Sequence, residues 1–164
     1  MQIVIAPVEI KHKSVLRQLM ELYSYDFSEF EPDDVDEHGL YGYKYLDHYW
    51  TESGRYPFFI KVDGQYAGFV LVTEFCVYAE KAGTKTISEF FVMRKYRRNN
   101  VGSFAAKQIF NLFQGNWEVR VLNSNINAIP FWRKVIESYT SNDFKYFPDP
   151  KNDWDGIGYV FNNS

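Results

Sequence analysis

The residues that point most directly to chemistry lie in the segment 87–113, which reads ISEFFVMRKYRRNNVGSFAAKQIFNLF. An apolar stretch ends in a basic, glycine-containing turn, and an amphipathic stretch follows, so the pattern predicts strand, turn and helix. Backbone N–H groups at a helix start have no partner within the helix, and the helix dipole adds partial positive charge there. Arg97 and Arg98 supply cations, and Gly102 leaves the backbone open to a ligand. We therefore predict a site for a phosphorylated ligand or cofactor.

This turn resembles the R/Q-x-x-G-x-G/A loop of the GNAT family of N-acetyltransferases, which bind acetyl-coenzyme A (acetyl-CoA). Asn100 stands where the first family glycine usually lies. Because Asn is the non-glycine residue that best tolerates a positive φ, we expect the backbone path to be kept. A second segment, residues 125–132 (NINAIPFW), resembles the later family pattern N-x-x-A-x-x-hydrophobic-aromatic. The turn by itself is typical of an ordinary solvated connection, whereas two motifs in the right order indicate the family.

The resemblance implies a site that binds acetyl-CoA as co-substrate. In the family the fourth and fifth strands splay apart, and the pantetheine arm inserts between them and bonds to the main chain of the fourth strand. Asn125 matches a family position that contacts this arm, and Phe131 and Trp132 would line its channel, the alternative being that both are core aromatics. The residues expected to hold the phosphates and the arm are Phe91, Val92, Met93, Arg97, Arg98, Asn99, Asn100, Val101, Gly102, Ser103, Asn125, Phe131 and Trp132.

Direct acetyl transfer to an amine, the reaction that the resemblance implies, needs a group that accepts a proton and a group that stabilises the departing thiolate. We predict Glu89 as the base, acting directly or through water, since it lies two residues before the main-chain groups that would hold the cofactor. Glu89 is alternatively the partner of a nearby cation or a solvated strand residue. Ser88, expected on the opposite face of the strand, is the weaker candidate.

The proton donor is less defined, because Trp132 stands where the family often has a tyrosine, and an indole does not deliver a proton as a phenol does. Another hydroxyl takes the role, or the thiolate leaves with only backbone and solvent help. Three functions remain open, and the substitution bears on the second of them. The chain is an N-acetyltransferase acting on the primary amine of a small cationic acceptor, a catalytically inactive acyl-CoA-binding regulator or sensor, or a module that binds a basic protein partner.

The segment 26–37 is densely acidic and would attract a cationic acceptor such as a polyamine, an aminoglycoside or a lysine-like group. In the family, the region between the first two helices forms one wall of the acceptor site. Aromatic residues near this segment could add cation–π contacts, namely Phe27, Phe30, Tyr41, Tyr43 and Tyr45. The alternative is that the carboxylates belong to an exposed loop.

Periodicity and turn signals predict the elements that must position these residues. The strands are expected at 3–6, 58–62, 67–77, 86–93, 117–122, 143–147 and 156–161, and the helices at 14–27, 43–51, 101–113 and 128–138. Asp63-Gly64 predicts a hairpin turn between the second and third strands. This order is that of the GNAT fold, an α/β arrangement of a mixed, mostly antiparallel sheet of about six to seven strands, about four flanking helices and splayed central strands.

Composition sets further limits. At 164 residues the chain has the size of one domain, which we predict to span residues 1–164. A net charge of −3, with the basic residues concentrated in one short turn, argues against nucleic-acid binding.

The lone Cys76 excludes a disulfide within the chain and is expected to be buried. His12, His38 and His48 lack metal-ligand spacing, so we expect no metal site. No leader or spanning segment is evident, and we expect a cytoplasmic protein without membrane contact, either a monomer or a homodimer.

Overall fold

A computed structural model describes the whole chain, residues 1–164. It contains seven strands and four α-helices in the order β1 (Ile3–Pro7), α1 (Lys13–Phe27), α2 (His48–Thr51), β2 (Arg55–Val62), β3 (Gln65–Thr73), β4 (Lys85–Val92), α3 (Val101–Leu112), β5 (Asn116–Leu122), α4 (Ala128–Thr140), β6 (Lys145–Phe147) and β7 (Gly156–Asn162). Short 3-10 turns at Ile10–His12 and Arg94–Tyr96 precede α1 and follow β4.

The strands form one sheet in the order β1-β2-β3-β4-β5-β7-β6. Every neighbouring pair is antiparallel except β4 and β5, which are parallel. The β4–β5 ladder has only two pairs, Lys85 with Trp117 and Thr86 with Glu118. Beyond these pairs the two strands separate and leave a gap in the middle of the sheet. The predicted fold class, including the splayed central strands, is confirmed.

Alternate residues of β3 divide the hydrophobic core between the two faces of the sheet. Val70 and Val72 belong to a large cluster with the apolar faces of α3 and α4. Phe69 and Leu71 belong to a smaller cluster with residues of α1 and α2. The gap between β4 and β5 therefore lies between two packed layers, which fix the positions of its walls.

Two predicted elements are shorter in the structure. The helix expected at 43–51 is helical only from His48, because the preceding N–H groups bond three residues back: Leu46 to the carbonyl of Tyr43 and His48 to that of Tyr45. The strand expected at 67–77 ends at Thr73. Residues 77–79 instead direct their N–H groups to the Glu118 carboxylate at 2.7–2.9 Å. The Asp63-Gly64 hairpin turn is confirmed, with φ of 49° and 79°.

Candidate active site

A cleft of about 1540 Å³ opens where β4 and β5 separate. Its walls come from the end of α1, the loop between α1 and α2, β4, the turn before α3, β5 and the first turns of α4. Nearly all of the predicted site residues line it. The exceptions among them are Met93, Asn99 and Val101, none of which contributes to its walls.

The start of α3 has the features of an anion site. The helix begins at Val101, and the first backbone N–H that bonds within the protein is that of Phe104, which reaches the carbonyl of Asn100 at 3.0 Å. The N–H groups of Val101, Gly102 and Ser103 have no protein acceptor and no capping side chain. Asn100 has a φ of 62°, as expected for the residue at the glycine position. Three free donors at the positive end of a helix can bind a phosphate.

The two arginines of the turn have different surroundings. Arg97 pairs with Asp26 at 2.6 Å and donates its Nε–H to the carbonyl of Val92 at 2.7 Å. Asp26 also accepts from Arg94. Although partial burial acts to raise the pKa of Asp26, the hydrogen bonds from Arg97 and Arg94 hold it below its usual range. Arg98 is exposed, forms no ion pair and has a φ of 64°. Arg98 is therefore the cation of this turn that is free to meet a ligand.

Fewer main-chain groups of β4 are free to bind a ligand than we predicted. Met93 donates its N–H to the carbonyl of Ala67 at 2.8 Å and accepts the N–H of Tyr96 at 2.9 Å, so both of its main-chain groups are used. In an antiparallel ladder hydrogen-bonded pairs alternate along the strands, so Phe91 also bonds to β3, whereas Val92 and Phe90 face the gap. Of the predicted residues Phe91, Val92 and Met93, only Val92 presents its main chain to the cleft, and because its carbonyl already accepts the Nε–H of Arg97, its N–H is the group left for a ligand.

The Glu89 carboxylate lies in the cleft between two tyrosines. Tyr23 donates its hydroxyl to Oε2 at 2.6 Å, and the Tyr43 hydroxyl lies 3.4 Å from Oε1. Burial raises the pKa of Glu89, opposed by these hydrogen bonds and by the charge of Arg120. Burial and the neighbouring carboxylate raise the pKa of Tyr23 well above its usual value, so Tyr23 remains a hydrogen-bond donor. A carboxylate with a raised pKa, open to a cleft, is suited to accept a proton.

Ser88 lies on the same side of the sheet as Glu89, whereas strict alternation along β4 would place the two side chains on opposite faces. The register of β3 and β4 shifts between Leu71 and Val72, so that Ser88 is an extra residue in β4. A bulge of this kind breaks the alternation of side chains. The Ser88 hydroxyl lies 2.6 Å from that of Thr73, and Ser88 and Glu89 both line the cleft.

An aromatic wall forms the side of the cleft next to α4. Phe90 packs against Phe131 and Trp132 with ring centroids 5.9 and 5.0 Å apart. Trp132 is only 6% exposed and packs in the large cluster, so it is both core and cleft wall. Asn125 lines the cleft with a side-chain amide that forms no hydrogen bond within the protein. The α4 side of the cleft contributes no tyrosine hydroxyl.

The acidic segment divides into two groups. Glu29, Glu31, Asp33 and Asp34 line the cleft. Asp36 instead accepts N–H groups of its own loop, from His38 and Leu40 at 2.8 and 3.0 Å. All five aromatic residues predicted near this segment line the cleft with the first group: Phe27, Phe30, Tyr41, Tyr43 and Tyr45.

Residues 16–136 match the model of the acetyltransferase (GNAT) family. The chain belongs to this family. Membership agrees with the splayed strands, the open helix start and the cleft between them, and it assigns the chain to the acetyl-CoA-dependent acetyltransferases. A search of curated proteins finds no match to the sequence.

Solved GNAT-like structures share the fold over nearly the whole chain. An acetyltransferase from Thermus thermophilus has a TM-score of 0.73 at 14% identity, with 99% of this chain and 98% of that chain covered. The aminoglycoside acetyltransferase AAC(6')-Ib in complex with coenzyme A has a TM-score of 0.71 at 11% identity, with 99% and 95% covered. PaiA N-acetyltransferase from Thermoplasma acidophilum, also in complex with coenzyme A, has a TM-score of 0.63 at 13% identity, with 99% and 100% covered.

The residues of this GNAT cleft that were not predicted include Tyr23, Phe90 and Arg120. Tyr23 continues the apolar spacing of α1, Phe90 belongs to an apolar strand, and Arg120 lies between the buried residues Val119 and Val121 of β5. Only the alternation of β4 could have pointed to Phe90, since the main-chain groups of Val92 and Phe90 share a side. The structure contains no cluster of three or more His, Cys, Asp or Glu residues able to hold a metal ion, and none of its helices has the length and apolarity needed to cross a bilayer.

Proposed function

We propose that this protein transfers the acetyl group of acetyl-CoA directly to the primary amine of a small cationic acceptor. The observation that carries the proposal is the position of Glu89, a carboxylate held by two tyrosine hydroxyls beside the gap between β4 and β5. A half-buried carboxylate with no cation within ion-pair distance serves stability poorly, because its ionisation is opposed by desolvation. A role in proton transfer accounts for its presence.

The residues around the gap suit a long ligand with phosphates at one end and amides along its arm. The free N–H groups of Gly102 and Ser103, with Arg98 beside them, would hold the phosphates. The Val92 N–H and the Asn125 amide would bond to the amide-bearing arm, since each can serve a peptide-like group. Bound acetyl-CoA supplies the acetyl group as a thioester.

The protein's own contribution to the reaction is proton transfer from the acceptor. An ammonium ion has no lone pair, so the acceptor must lose a proton before its nitrogen can attack the thioester carbonyl. Glu89 receives that proton directly or through water. Its raised pKa makes it a stronger base than an exposed glutamate, and the hydrogen bond from Tyr23 holds it in place.

The departing thiolate needs little assistance in this mechanism. Trp132 carries an indole N–H, which is too weak an acid to protonate a thiolate. A thiol has an ordinary pKa of about 8.5, so the thiolate is a fair leaving group near neutral pH. No tyrosine is assigned to this step.

The chemistry of the cleft favours a cationic acceptor. Glu29, Glu31, Asp33 and Asp34 are carboxylates of the cleft without a cation within ion-pair distance, so they would concentrate positively charged amines. Tyrosine and phenylalanine rings nearby would add cation–π contacts.

Release of coenzyme A, measured with a thiol reagent across a panel of primary amines, tests the proposal. We expect turnover with at least one amine and a loss of about 10²- to 10⁴-fold in Glu89→Gln. Glu137→Gln is the matched control, since Glu137 is a partly exposed carboxylate paired with Arg133 on α4. Equal losses in both variants would remove Glu89 from the mechanism.

The second candidate is an acyl-CoA-binding regulator or sensor without catalysis, which the tryptophan at the usual tyrosine position favours. It predicts calorimetric binding of acetyl-CoA without turnover of any amine. Turnover of a single amine at a useful rate would exclude it.

A further inference from the structure

A second pocket of about 320 Å³ adjoins the cleft and is lined in part by Ser88, the neighbour of Glu89 in β4. Tyr43, Tyr45 and Ser88 line both cavities, so the two are adjacent. The remaining walls of the pocket are Tyr49, Arg55, Thr73 and Phe75. Arg55 is the only lining residue that is charged at neutral pH, and the Glu52 carboxylate that pairs with it does not line the pocket.

Arg55 is placed to present one edge of its guanidinium to this pocket. Its side chain is only 11% exposed, and its Nε–H is taken by Glu52 at 3.0 Å. The guanidinium carbon lies 4.7 Å from the ring centre of Phe75, 5.5 Å from that of Tyr49 and 5.7 Å from that of Tyr45. The terminal nitrogens donate no hydrogen bond within the protein. With rings packed around the group, the free directions are the N–H bonds in its plane, which match a carboxylate.

The other polar groups of the pocket are also donors. The Tyr49 hydroxyl, in a residue that is only 4% exposed, lies near the Tyr43 hydroxyl and the Arg55 guanidinium but has hydrogen-bond geometry with neither. Burying an unpaired hydroxyl is costly, so such a group points to a ligand that completes it. Ser88 and Thr73 share one hydrogen bond at 2.6 Å, which leaves one hydroxyl proton of the two free to be donated. A ligand group that accepts on every side would satisfy all three.

We propose that this pocket binds a carboxylate of the acceptor, so that the acceptor is an amino acid or another amine bearing a carboxylate. The proposal rests on the proposed acetyl transfer and defines its substrate class. The amine would then lie in the cleft near Glu89, which is adjacent to Ser88 in β4. A simple polyamine fits the pocket poorly, because a second ammonium would face Arg55 and groups that already have protons to donate.

Matched acceptor pairs test the proposal most directly. Lysine and cadaverine differ only by the carboxylate, as do ornithine and putrescine. We expect kcat/KM to be at least about tenfold higher for the amino acid of a pair, the ratio that one charge-assisted contact supports. In Arg55→Gln the preference should fall to near unity because the amino acid loses rate. Arg133→Gln is the control, since Arg133 makes a similar Nε–carboxylate pair with Glu137 outside the cleft.

Tyr49→Phe provides a variant that does not threaten the fold. It removes only a hydroxyl that has no partner, so the thermal unfolding temperature should stay equal or rise. KM for the preferred amino acid should increase several-fold, and kcat/KM for the matched diamine should not change. Equal effects on both acceptors would overturn the carboxylate role of Tyr49.

Binding without turnover separates failure of this inference from failure of the proposed function. In calorimetry with coenzyme A present, lysine should bind more tightly than cadaverine, and Arg55→Gln should abolish the difference. If that holds while no amine is acetylated, the carboxylate pocket stands and the transferase proposal fails. If diamines are acetylated as well as their amino acids are, the transferase proposal stands and the carboxylate pocket is wrong.

Discussion

The Tyr23 hydroxyl donates a 2.6 Å hydrogen bond to Oε2 of Glu89, linking α1 to β4 inside the cleft. The bond holds one carboxylate oxygen and leaves the other near Tyr43. It also favours the ionised form of Glu89, against the burial that favours the protonated form. Tyr23 is therefore a positioning residue that sets both the orientation and the proton affinity of the proposed base.

Removal of this bond should move the pH dependence of catalysis. In Tyr23→Phe the pKa of Glu89 should rise, because a bond that lowers it is lost. Since the base must be ionised, the acidic limb of the kcat/KM profile should shift to higher pH, with a larger loss of rate at pH 6 than at pH 8. Tyr25→Phe, in an exposed residue of the same helix, is the control. An unshifted limb with a uniformly lower rate would show that Tyr23 acts by packing alone.

Glu89 should cost the protein stability at neutral and alkaline pH. A carboxyl group whose pKa is raised by folding stabilises the folded state at pH values below its unfolded-state pKa. This stabilisation is lost as the pH rises through the folded-state pKa, and Glu89 is such a group. Glu89→Gln, which removes the titration, should therefore be more stable than wild type at pH 8. The difference should shrink as the pH falls towards 4. Denaturant unfolding at both pH values measures it, and a difference that grows on acidification would contradict the assignment.

Substitution of Arg97 should lower the stability of the protein, whereas substitution of Arg98 should weaken the binding of coenzyme A. Arg97→Ala loses the Asp26 pair and the bond to Val92, so we expect a loss of about 1–2 kcal/mol in unfolding free energy. Arg98→Ala breaks no ion pair, so its stability should change by less than about 0.5 kcal/mol. Its affinity for coenzyme A should fall about three- to tenfold, and less at high salt. Calorimetry measures the affinity of both variants for coenzyme A, and thermal unfolding measures their stability. A loss of affinity in Arg97→Ala but not in Arg98→Ala would assign the phosphate contact to Arg97.

Glu118 should contribute strongly to the stability of the fold. Its carboxylate is 0% exposed and accepts the N–H groups of Val77, Tyr78 and Ala79, with Arg120 at 3.3 Å. Glu118→Gln turns one acceptor oxygen into a donor facing an N–H, so we expect a loss of about 3 kcal/mol in unfolding free energy. That corresponds to about 6–12 °C in thermal unfolding for a chain of this size. Glu80→Gln, in a neighbouring exposed residue, should change little.

Local sequence was enough to predict the parts of this protein that depend on near neighbours in the chain. The basic turn, the left-handed Asn100, the start of α3 and the Asp63-Gly64 hairpin follow from local dihedral preferences and from groups within four residues. The order of the elements, with its family resemblance, was likewise readable from periodicity. Their correct prediction reflects interactions that already exist in a short segment.

Partners across the sheet, in contrast, are set by the packing of the folded chain. Tyr23 and Glu89 are 66 residues apart, and Asp26 and Arg97 are 71 apart. Such pairs depend on how α1 packs on β3 and β4 and on the bulge at Ser88. Because the paired residues are far apart in the sequence, no local pattern predicts that they make contact. The same holds for the pocket at Arg55, because packing of distant aromatic rings determines which edge of the guanidinium remains free.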